Sequence, residues 1–260
     1  YYADGREIDR PNVILILADD MGLGDVAALN GGLNRTPVLD NLIEEGVLFN
    51  QAYSASCVCA PARAALLTGL YPHRTGDVTL NVQRWPQLTR ISKSHETVAN
   101  LFQNNGYETA LIGKWHSGEG DDYHPLSRGF DKFYGFKGYQ VKGYWEYGFE
   151  VGGRATTRKD VYLTDLLTDY SIQFVRENKK TPFFLHLSHF APHRPLEAPE
   201  ELVEDYRKQG YDENTALVYA MVEVMDRGIG RLLAELEELG IRDKTLIVFA
   251  SDNGPDPLTG

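Results

Sequence analysis

Short apolar runs alternate with stretches of helical periodicity along most of the chain. Residues 13–18 form a continuous apolar segment of strand length, as expected of a strand that is covered on both faces. Similar runs predict three further strands, at 107–112, 183–188 and 245–250. Apolar spacing of three and four residues predicts a helix that begins at Thr36, and others near 96–104, 160–178 and 213–239.

Strands that are separated by helices favour an α/β fold with a mostly parallel central sheet and helices on both faces. Residues 118–158 depart from this pattern, because they are rich in glycine, tyrosine and charged residues and lack a clear period. We expect them to form an irregular insertion that lines a cleft. At 260 residues the chain is near the upper size of one hydrophobic core, so a single domain over 1–260 is expected.

The charged residues argue against some classes of partner. With 26 Lys and Arg against 37 Asp and Glu, the formal net charge is −11, and no basic run stands out. A nucleic-acid surface is therefore not expected, and any anion site must be local. The sequence also lacks the roughly 18 consecutive apolar residues of a membrane-spanning helix.

The two cysteines, Cys57 and Cys59, are separated by one residue. A disulfide between them would close a very small, strained ring, and a zinc site would need further cysteines or suitably placed histidines. We expect Cys57 to be a small buried side chain, since free cysteines are among the most buried residues. Neither cysteine indicates a redox compartment.

Residues 59–69 predict an anion site at the start of a helix. Cys59 begins a short stretch rich in Ala and Leu, with Pro61 near the first helical position and Arg63 shortly after it. The free N–H groups and the dipole at a helix N-terminus favour negative charge. The guanidinium of Arg63 adds a fork of donors that suits sulfate or phosphate oxygens.

Two of the predicted strands end in acidic turns. Asp19 and Asp20 follow the first strand, and Asp252 and Asn253 follow the last. Each turn alone is ordinary turn chemistry. In an open parallel sheet, however, ligand sites form beyond the carboxyl ends of the strands, where the two turns would meet. Three carboxylates and an amide oxygen then predict a hard divalent cation, Ca²⁺ or Mg²⁺.

Lysine and histidine follow two other strands. Lys114 and His116 come directly after the second strand, two residues apart, so we expect them to point to one side. His186, His189 and His193 raise the alternative of a zinc site, although zinc competes poorly with a neighbouring set of oxygen ligands. We expect His186 to point into the core or to the opposite face, and we assign no role to His189.

Three segments resemble those of a known family. The pattern Cys-x-Pro-x-Arg-x-x-Leu-x-Thr-Gly, complete over residues 59–69, resembles the signature of the type I sulfatases, which belong to the alkaline phosphatase superfamily. The Gly-Lys-Trp-His sequence at 113–116 is similar to the second sulfatase signature. The Ala-Pro-His-Arg-Pro sequence at 191–195 is similar to a further segment of that family.

The resemblance implies a modified residue and a metal ion. Cys59 would be oxidised to formylglycine by a formylglycine-generating enzyme and hydrated to a geminal diol. One Ca²⁺ per chain would be held by five ligands, namely Asp19, Asp20, the formylglycine oxygen at Cys59, Asp252 and Asn253. Arg63 and Lys114 would hold the diol and its charge. His116 would act as a base in sulfate release, and His193 would bind sulfate beside the leaving oxygen.

The activity implied by the resemblance is hydrolysis of a sulfate monoester, of an aryl or carbohydrate alcohol, to the alcohol and sulfate. Two alternatives stay open: a phosphonate or phosphate ester hydrolase of the same superfamily, and an inactive anion-binding relic. The family usually carries another catalytic Lys and a C-terminal subdomain beyond Asp-Asn-Gly, so we expect this sequence to be truncated before them. Tyr1 to Gly5 resemble no signal peptide, and we expect a periplasmic or extracellular protein whose export signal is not in this sequence.

Overall fold

The computed structural model of the protein describes residues 10–80, 84–138 and 141–256. The expectation about a signal peptide at Tyr1 to Gly5 concerns residues outside these ranges. Within them, seven strands form one sheet in the order β5-β4-β3-β2-β6-β1-β7. The strands are β1 (Asn12–Ala18), β2 (Glu108–Lys114), β3 (Lys132–Phe136), β4 (Tyr147–Val151), β5 (Arg154–Arg158), β6 (Phe183–Ser188) and β7 (Thr245–Ser251).

Five neighbouring strands of the sheet pair in parallel, and the other two pair in antiparallel fashion. Strands β3, β2, β6, β1 and β7 run in the same direction, and β4 and β5 add an antiparallel hairpin at one edge. The predicted mostly parallel sheet is therefore confirmed. In the central strands β2 and β6 all residues but Glu108 are buried, which explains why apolar residues on neighbouring positions dominate both strands.

Helices cover both faces of the sheet, as the sequence predicts. The α-helices in the described ranges are α1 (Ala27–Asn30), α2 (Pro37–Glu45), α3 (Cys59–Thr68), α4 (Pro72–Thr75), α5 (Val98–Asn104), α6 (Leu163–Asn178), α7 (Glu200–Lys208) and α8 (Glu213–Glu238). The long helices α6 and α8 pack on one face, around Ile14, Ile112 and Leu185. Helices α3 and α5 pack on the other, around Leu111 and Phe184. Among the described residues, none of these helices is both long and apolar enough to cross a membrane.

The expectation of an irregular insertion at 118–158 is wrong, because three strands of the sheet lie there. Strand β3 pairs with β2 so closely that a Cβ on Gly135 would lie 1.9 Å from the Gly113 carbonyl oxygen. Glycine is needed for this contact, yet it interrupts the apolar pattern. Strands β4 and β5 are joined by Gly152 and Gly153, both at positive φ. A two-glycine link between short runs is a hairpin signal that the sequence carried.

A buried carboxylate on helix α8 contacts the first turn of helix α2. Asp226, on α8, accepts hydrogen bonds from the backbone N–H groups of Val38 (3.1 Å) and Leu39 (2.8 Å). These groups belong to the first turn of α2, where N–H groups have no partner within the helix. Asp226 is fully buried, so it caps α2 from another element and holds that helix against α8.

We predict that Asp226→Asn lowers the free energy of unfolding by about 1–3 kcal/mol, because an amide replaces one of the two accepting oxygens with a donor. Chemical denaturation measures the loss. Asp169→Asn is the matched control, because Asp169 forms a half-exposed ion pair with Arg231, and it should change stability by less than about 1 kcal/mol.

The same substitution should alter the pH dependence of stability. Burial raises the pKa of Asp226 to about 6. Between about pH 4 and pH 6, the folded protein therefore keeps a proton that the unfolded chain has lost. Stability of the wild type relative to Asp226→Asn should fall as the pH rises through this window and then stay constant. A constant difference throughout would contradict the assignment.

Candidate active site

The predicted site residues meet at the carboxyl edge of the parallel strands. Because β2, β6, β1 and β7 are neighbours in the sheet, the segments that follow them lie side by side. Backbone hydrogen bonds tie these segments together, from Asp252 N–H to the Ala18 carbonyl and from Asp19 N–H to the Ala191 carbonyl. The N-terminus of α3, with Cys59, completes the site.

Two buried cations contact two buried carboxylates at the centre of this site. The ammonium group of Lys114 lies 2.5 Å from Asp19 Oδ2. Arg63 Nη2 lies 2.8 Å from Asp252 Oδ2 and 3.4 Å from Asp19 Oδ1, and all four side chains are at most 1% exposed. Buried charges persist only when they are paired in this way. The cluster therefore holds the strand ends in one arrangement.

Arg63 points to protein groups rather than to solvent. Its Nε donates to Asp252 Oδ2 at 2.9 Å, and its Nη1 donates to Ser188 Oγ at 2.5 Å. Ser188 Oγ in turn donates to the Lys114 carbonyl at 2.7 Å. The sequence suggested that the fork of Arg63 would bind an anion, whereas the structure places it on a carboxylate and a hydroxyl. Its positive charge still acts on the site, because the guanidinium contacts Asp19 and Asp252.

Asp20 and Asn253 form a more open part of the site. Asn253 Nδ2 donates to Asp20 Oδ1 at 2.6 Å, and the Asp20 N–H donates to Asp252 Oδ1 at 3.2 Å. Asp20 adopts a φ of 62°, in the left-handed region that side chains other than glycine rarely occupy. Such strain persists where the surroundings hold a residue in place, and it concentrates at functional sites.

The three aspartates are crowded enough to disturb their ionisation. Burial, followed by repulsion from Asp19, raises the pKa of both Asp252, to about 7, and Asp20. Burial acts in the same direction on Asp19, but Lys114 and Arg63 hold the pKa of that carboxyl below its usual range. Two neighbouring cations therefore do not fully neutralise the negative charge that gathers here.

The donor set fits a hard divalent cation. Oxygen atoms of Asp19, Asp20 and Asp252 lie within 4.8 Å of one another. Asp19 Oδ1 and Asn253 Oδ1 are buried and accept no hydrogen bond from the described residues. Buried oxygens without a donor are costly unless a cation satisfies them. Carboxylate and amide oxygens are the ligands that Ca²⁺ prefers.

Cys59 is the first residue of α3 and is buried next to the carboxylates. Its sulfur lies within 4.8 Å of ligand atoms of Asp19 and His193. Burial and then Asp19 raise the pKa of this thiol to about 12, so an unmodified Cys59 would be a neutral thiol and a poor nucleophile. The expectation that Cys57 is buried is wrong: its side chain is exposed, because it lies in an exposed stretch before α3 begins.

His116 lies beside Lys114 in the site, whereas Trp115 points to the other side. The indole N–H of Trp115 donates to the Gly118 and Tyr123 carbonyls. His116 is buried and has a φ of 54°, with its backbone N–H on the Lys137 carbonyl. Burial, and then the positive charge of Lys114, lower the pKa of His116 well below its usual range. The imidazole is therefore neutral and able to accept a proton.

His193 faces the open side of the site. Its Nδ1 lies 2.6 Å from the Arg194 carbonyl, so Nδ1 carries a proton and Nε2 is left to face Asp20 Oδ2, 3.6 Å away. The ring stacks on Phe190 with centroids 4.6 Å apart.

The other two histidines of the predicted cluster lie elsewhere. His186 Nδ1 lies 3.3 Å from the Leu15 carbonyl, and His189 is fully buried without a side-chain partner among the described residues. Burial lowers the pKa of both to about 3. Neither belongs to a group of potential metal ligands in the described ranges, so the zinc alternative has no geometric support.

Sequence reasoning missed three residues that shape the site. Ser188 connects Arg63 to the Lys114 carbonyl, Phe190 lies under His193, and Tyr144 donates to the backbone of the His193 segment. The position of Ser188 at the end of a buried strand was a usable signal. Tyr144 lies far from the motifs in sequence, and nothing near it indicated this contact.

Known proteins resemble this chain in sequence and in fold. The sulfatase family profile matches residues 11–259. N-acetylgalactosamine-6-sulfatase of Mus musculus is 31% identical over 94% of this chain and 50% of its own length. The uncharacterized sulfatase YdeN of Escherichia coli K12 is 32% identical over 96% of this chain and 54% of its own length. This chain thus spans about half the length of the curated relatives it matches.

Among solved structures, Ps i-CgsB superposes with a TM-score of 0.87 at 34% identity, over 96% of this chain and 60% of its own. The same protein has also been solved in complex with k-i-k-neocarrahexaose. A family profile that spans nearly the whole chain, together with relatives above 30% identity, agrees with the motifs and with the sheet that brings them together. The chain belongs to the sulfatase family.

Proposed function

We propose that these residues form the catalytic domain of an enzyme that hydrolyses sulfate monoesters, in which water and R–O–SO₃⁻ give the alcohol, sulfate and a proton. The observation that carries this proposal is the position of Cys59, within 4.8 Å of both Asp19 and His193 and at the start of the sulfatase signature helix. The discriminating experiment compares turnover of an aryl sulfate with that of an aryl phosphonate. Preference for the phosphonate would favour the rival hydrolase.

Formylglycine at position 59 and one Ca²⁺ are the groups that this proposal requires. When present, the hydrated aldehyde would supply an oxygen nucleophile, and the cation would offset negative charge at that oxygen. Asp19, Asp20, Asp252 and Asn253 would hold the cation, together with the oxygen at position 59. The signature over residues 59–69 and the burial of Cys59 beside Asp19 support this assignment.

Lys114 and Arg63 supply fixed positive charge to the reaction. Both are fully buried and held by carboxylates, so they do not need to reorganise as negative charge develops. Preorganised charge of this kind contributes several kcal/mol to many enzymes, roughly 3–4 kcal/mol for a single donor. We assign Lys114 to the oxygen at position 59, and Arg63 to holding Asp252 in place while contributing to the field.

His116 and His193 are suited to opposite proton transfers. His116 is buried and neutral, so it can take a proton from the group at position 59 as sulfate leaves. His193 is more exposed, and its Nε2 lies 3.6 Å from Asp20 Oδ2 on the open side of the site. With Nδ1 held by the Arg194 carbonyl, a proton on Nε2 can be donated to a sulfate oxygen or to the departing alcohol.

A sulfated carbohydrate is the substrate class that we propose. The relatives support this choice, since one is named N-acetylgalactosamine-6-sulfatase and another was solved with k-i-k-neocarrahexaose. We infer that the segments around the carboxyl edge of the sheet distinguish one sugar sulfate from another.

We predict that Cys59 is converted when the full-length protein is made in a host with a formylglycine-generating system. The reason is the match to the signature over residues 59–69. Mass spectrometry of the peptide that contains both cysteines should show an aldehyde at Cys59 and an intact thiol at Cys57. Cys59→Ala should abolish sulfatase activity, and Cys57→Ala should preserve it. Full activity with Cys59 recovered only as a thiol would contradict the proposed nucleophile.

We predict that Asp20→Ala and Asp252→Asn each lose bound Ca²⁺, because each removes a carboxylate from a site made only of oxygen donors. Elemental analysis of the purified full-length protein measures the metal content. Asp169→Asn, on the outer surface of α6, is the control and should retain Ca²⁺. Should both site variants keep one Ca²⁺ per chain, the acidic turns do not form the metal site.

We predict that His116→Ala and His193→Ala slow different steps. With His116→Ala, a first turnover should release alcohol in a burst before steady turnover slows, because the base acts in sulfate release. With His193→Ala, the burst itself should slow, most for esters of weakly acidic alcohols that need a proton as they leave. Rapid-mixing assays on esters of graded alcohol pKa distinguish the two. Equal losses on all esters for His193→Ala would show that its role is misassigned.

A further inference from the structure

The segment that carries His193 is anchored by a tyrosine from a distant part of the chain. Tyr144 is fully buried, and its hydroxyl lies 2.9 Å from the Phe190 carbonyl and 2.8 Å from the His193 carbonyl, to which it donates. These carbonyls lie at the two ends of one tight turn, because the His193 N–H donates to the Phe190 carbonyl at 2.8 Å. One hydroxyl therefore contacts both ends of the turn that presents the imidazole.

Tyr144 is itself held firmly. Its backbone N–H donates to Glu197 Oε2 at 2.7 Å, and its carbonyl accepts from the Leu163 N–H at 2.9 Å. Its ring stacks on that of Tyr162, with centroids 5.3 Å apart. Burial raises the pKa of Tyr144 well above its usual range, so the hydroxyl stays a donor. The anchor is thus fixed by the fold and does not depend on the histidine segment alone.

Gly143, the residue before Tyr144, leaves room for the Glu197 carboxylate. A Cβ on Gly143 would lie 2.8 Å from both carboxylate oxygens of Glu197. Without a side chain there, the carboxylate can approach the backbone of the next residue, Tyr144. The Glu197 backbone carbonyl also accepts from the Tyr162 hydroxyl at 2.7 Å. Glu197, which follows the turn in sequence, is therefore held by both Tyr144 and Tyr162.

The Asp19 N–H donates to the Ala191 carbonyl at 3.1 Å and holds the middle of the turn, whereas the imidazole of His193 is held from within its own segment. Its plane is set by the Phe190 ring, with centroids 4.6 Å apart, and its rotation by the hydrogen bond from Nδ1 to the Arg194 carbonyl. Both groups belong to the same short segment as His193, so they move with it. Tyr144 contacts this segment from outside, with one hydroxyl proton shared between the two carbonyls at the ends of the turn. The position of Nε2 relative to Asp20 and Cys59 therefore depends on the Tyr144 hydroxyl as well as on the contact with Asp19.

We infer that Tyr144 is a positioning residue for the proton transfer by His193, a role that rests on the proposed sulfatase function. Removing its hydroxyl leaves the imidazole and its tautomer intact but lets the turn shift. A shift of a fraction of an ångström at Nε2 is enough to weaken proton donation to the leaving oxygen. The fold needs the Tyr144 ring, and the reaction needs its hydroxyl.

The test is Tyr144→Phe in the full-length, formylglycine-containing protein, assayed on sulfate esters of graded alcohol pKa. We expect kcat to fall about 10-fold on esters of weakly acidic alcohols, to change less than about twofold on activated aryl sulfates, and KM to stay nearly constant. Tyr147→Phe is the matched control. Tyr147 is also buried, and its hydroxyl donates to the Val161 carbonyl at 2.8 Å, whereas the Tyr144 hydroxyl donates to the His193 segment. It should leave the dependence on the leaving group unchanged.

A double-mutant cycle identifies the route of the effect. In a His193→Ala background, Tyr144→Phe should add little further loss, because the group that it positions is gone. Additive losses, an equal loss on all esters, or a Tyr144→Phe protein that does not fold would overturn the inference and assign a structural role to the hydroxyl. A wild-type protein that hydrolyses no sulfate ester, despite formylglycine at Cys59, would instead overturn the proposed function and this inference with it.

Discussion

Burial of charge at the carboxyl edge of the sheet is the constraint on which the rest of the site depends. Asp19, Asp252, Lys114 and Arg63 come from four separate segments and are almost completely excluded from water. Each would be expensive to bury alone, and removal of any one leaves an uncompensated charge. Burial of each charge is therefore compensated only when the four segments lie next to one another.

The parallel sheet makes this arrangement accessible. Strands β2, β6, β1 and β7 are adjacent, so the residues that follow them emerge at one edge, and α3 supplies Arg63 and Cys59 from one side. Backbone hydrogen bonds between neighbouring segments position the carbonyls and N–H groups before any ligand binds. The positive φ values of Asp20 and His116 are the local cost, and the surrounding contacts hold both residues in place.

The two histidines of the site lie in different surroundings. His116 is buried beside Lys114, which favours its neutral form. His193 lies farther out, with Asp20 near its Nε2 and a carbonyl on its Nδ1. The two imidazoles therefore have different burial and different nearest charges within one site, and the Tyr144 hydroxyl contacts the backbone of the outer one.

The sequence by itself determined the elements whose signals are local. Apolar runs located β1, β2, β6 and β7 to within about two residues, and Thr36 marked the start of α2, because pattern and caps act over one or two turns. The resemblance of three segments to a known family singled out Cys59, Lys114 and His193, and the structure brings these residues to the same edge of the sheet. The convergence of the acidic turns followed from the rule for parallel sheets.

Only the tertiary structure decided which partners these residues meet. Arg63 contacts Asp252 across 189 positions of sequence, and Tyr144 contacts the His193 carbonyl across 49. Strand β3 needed glycine for a close approach that its sequence pattern hides. Cys57 is exposed although its residue type favours burial. Such outcomes depend on packing between distant segments, which no short window of sequence contains, whereas helices and strands form under constraints that a window does contain.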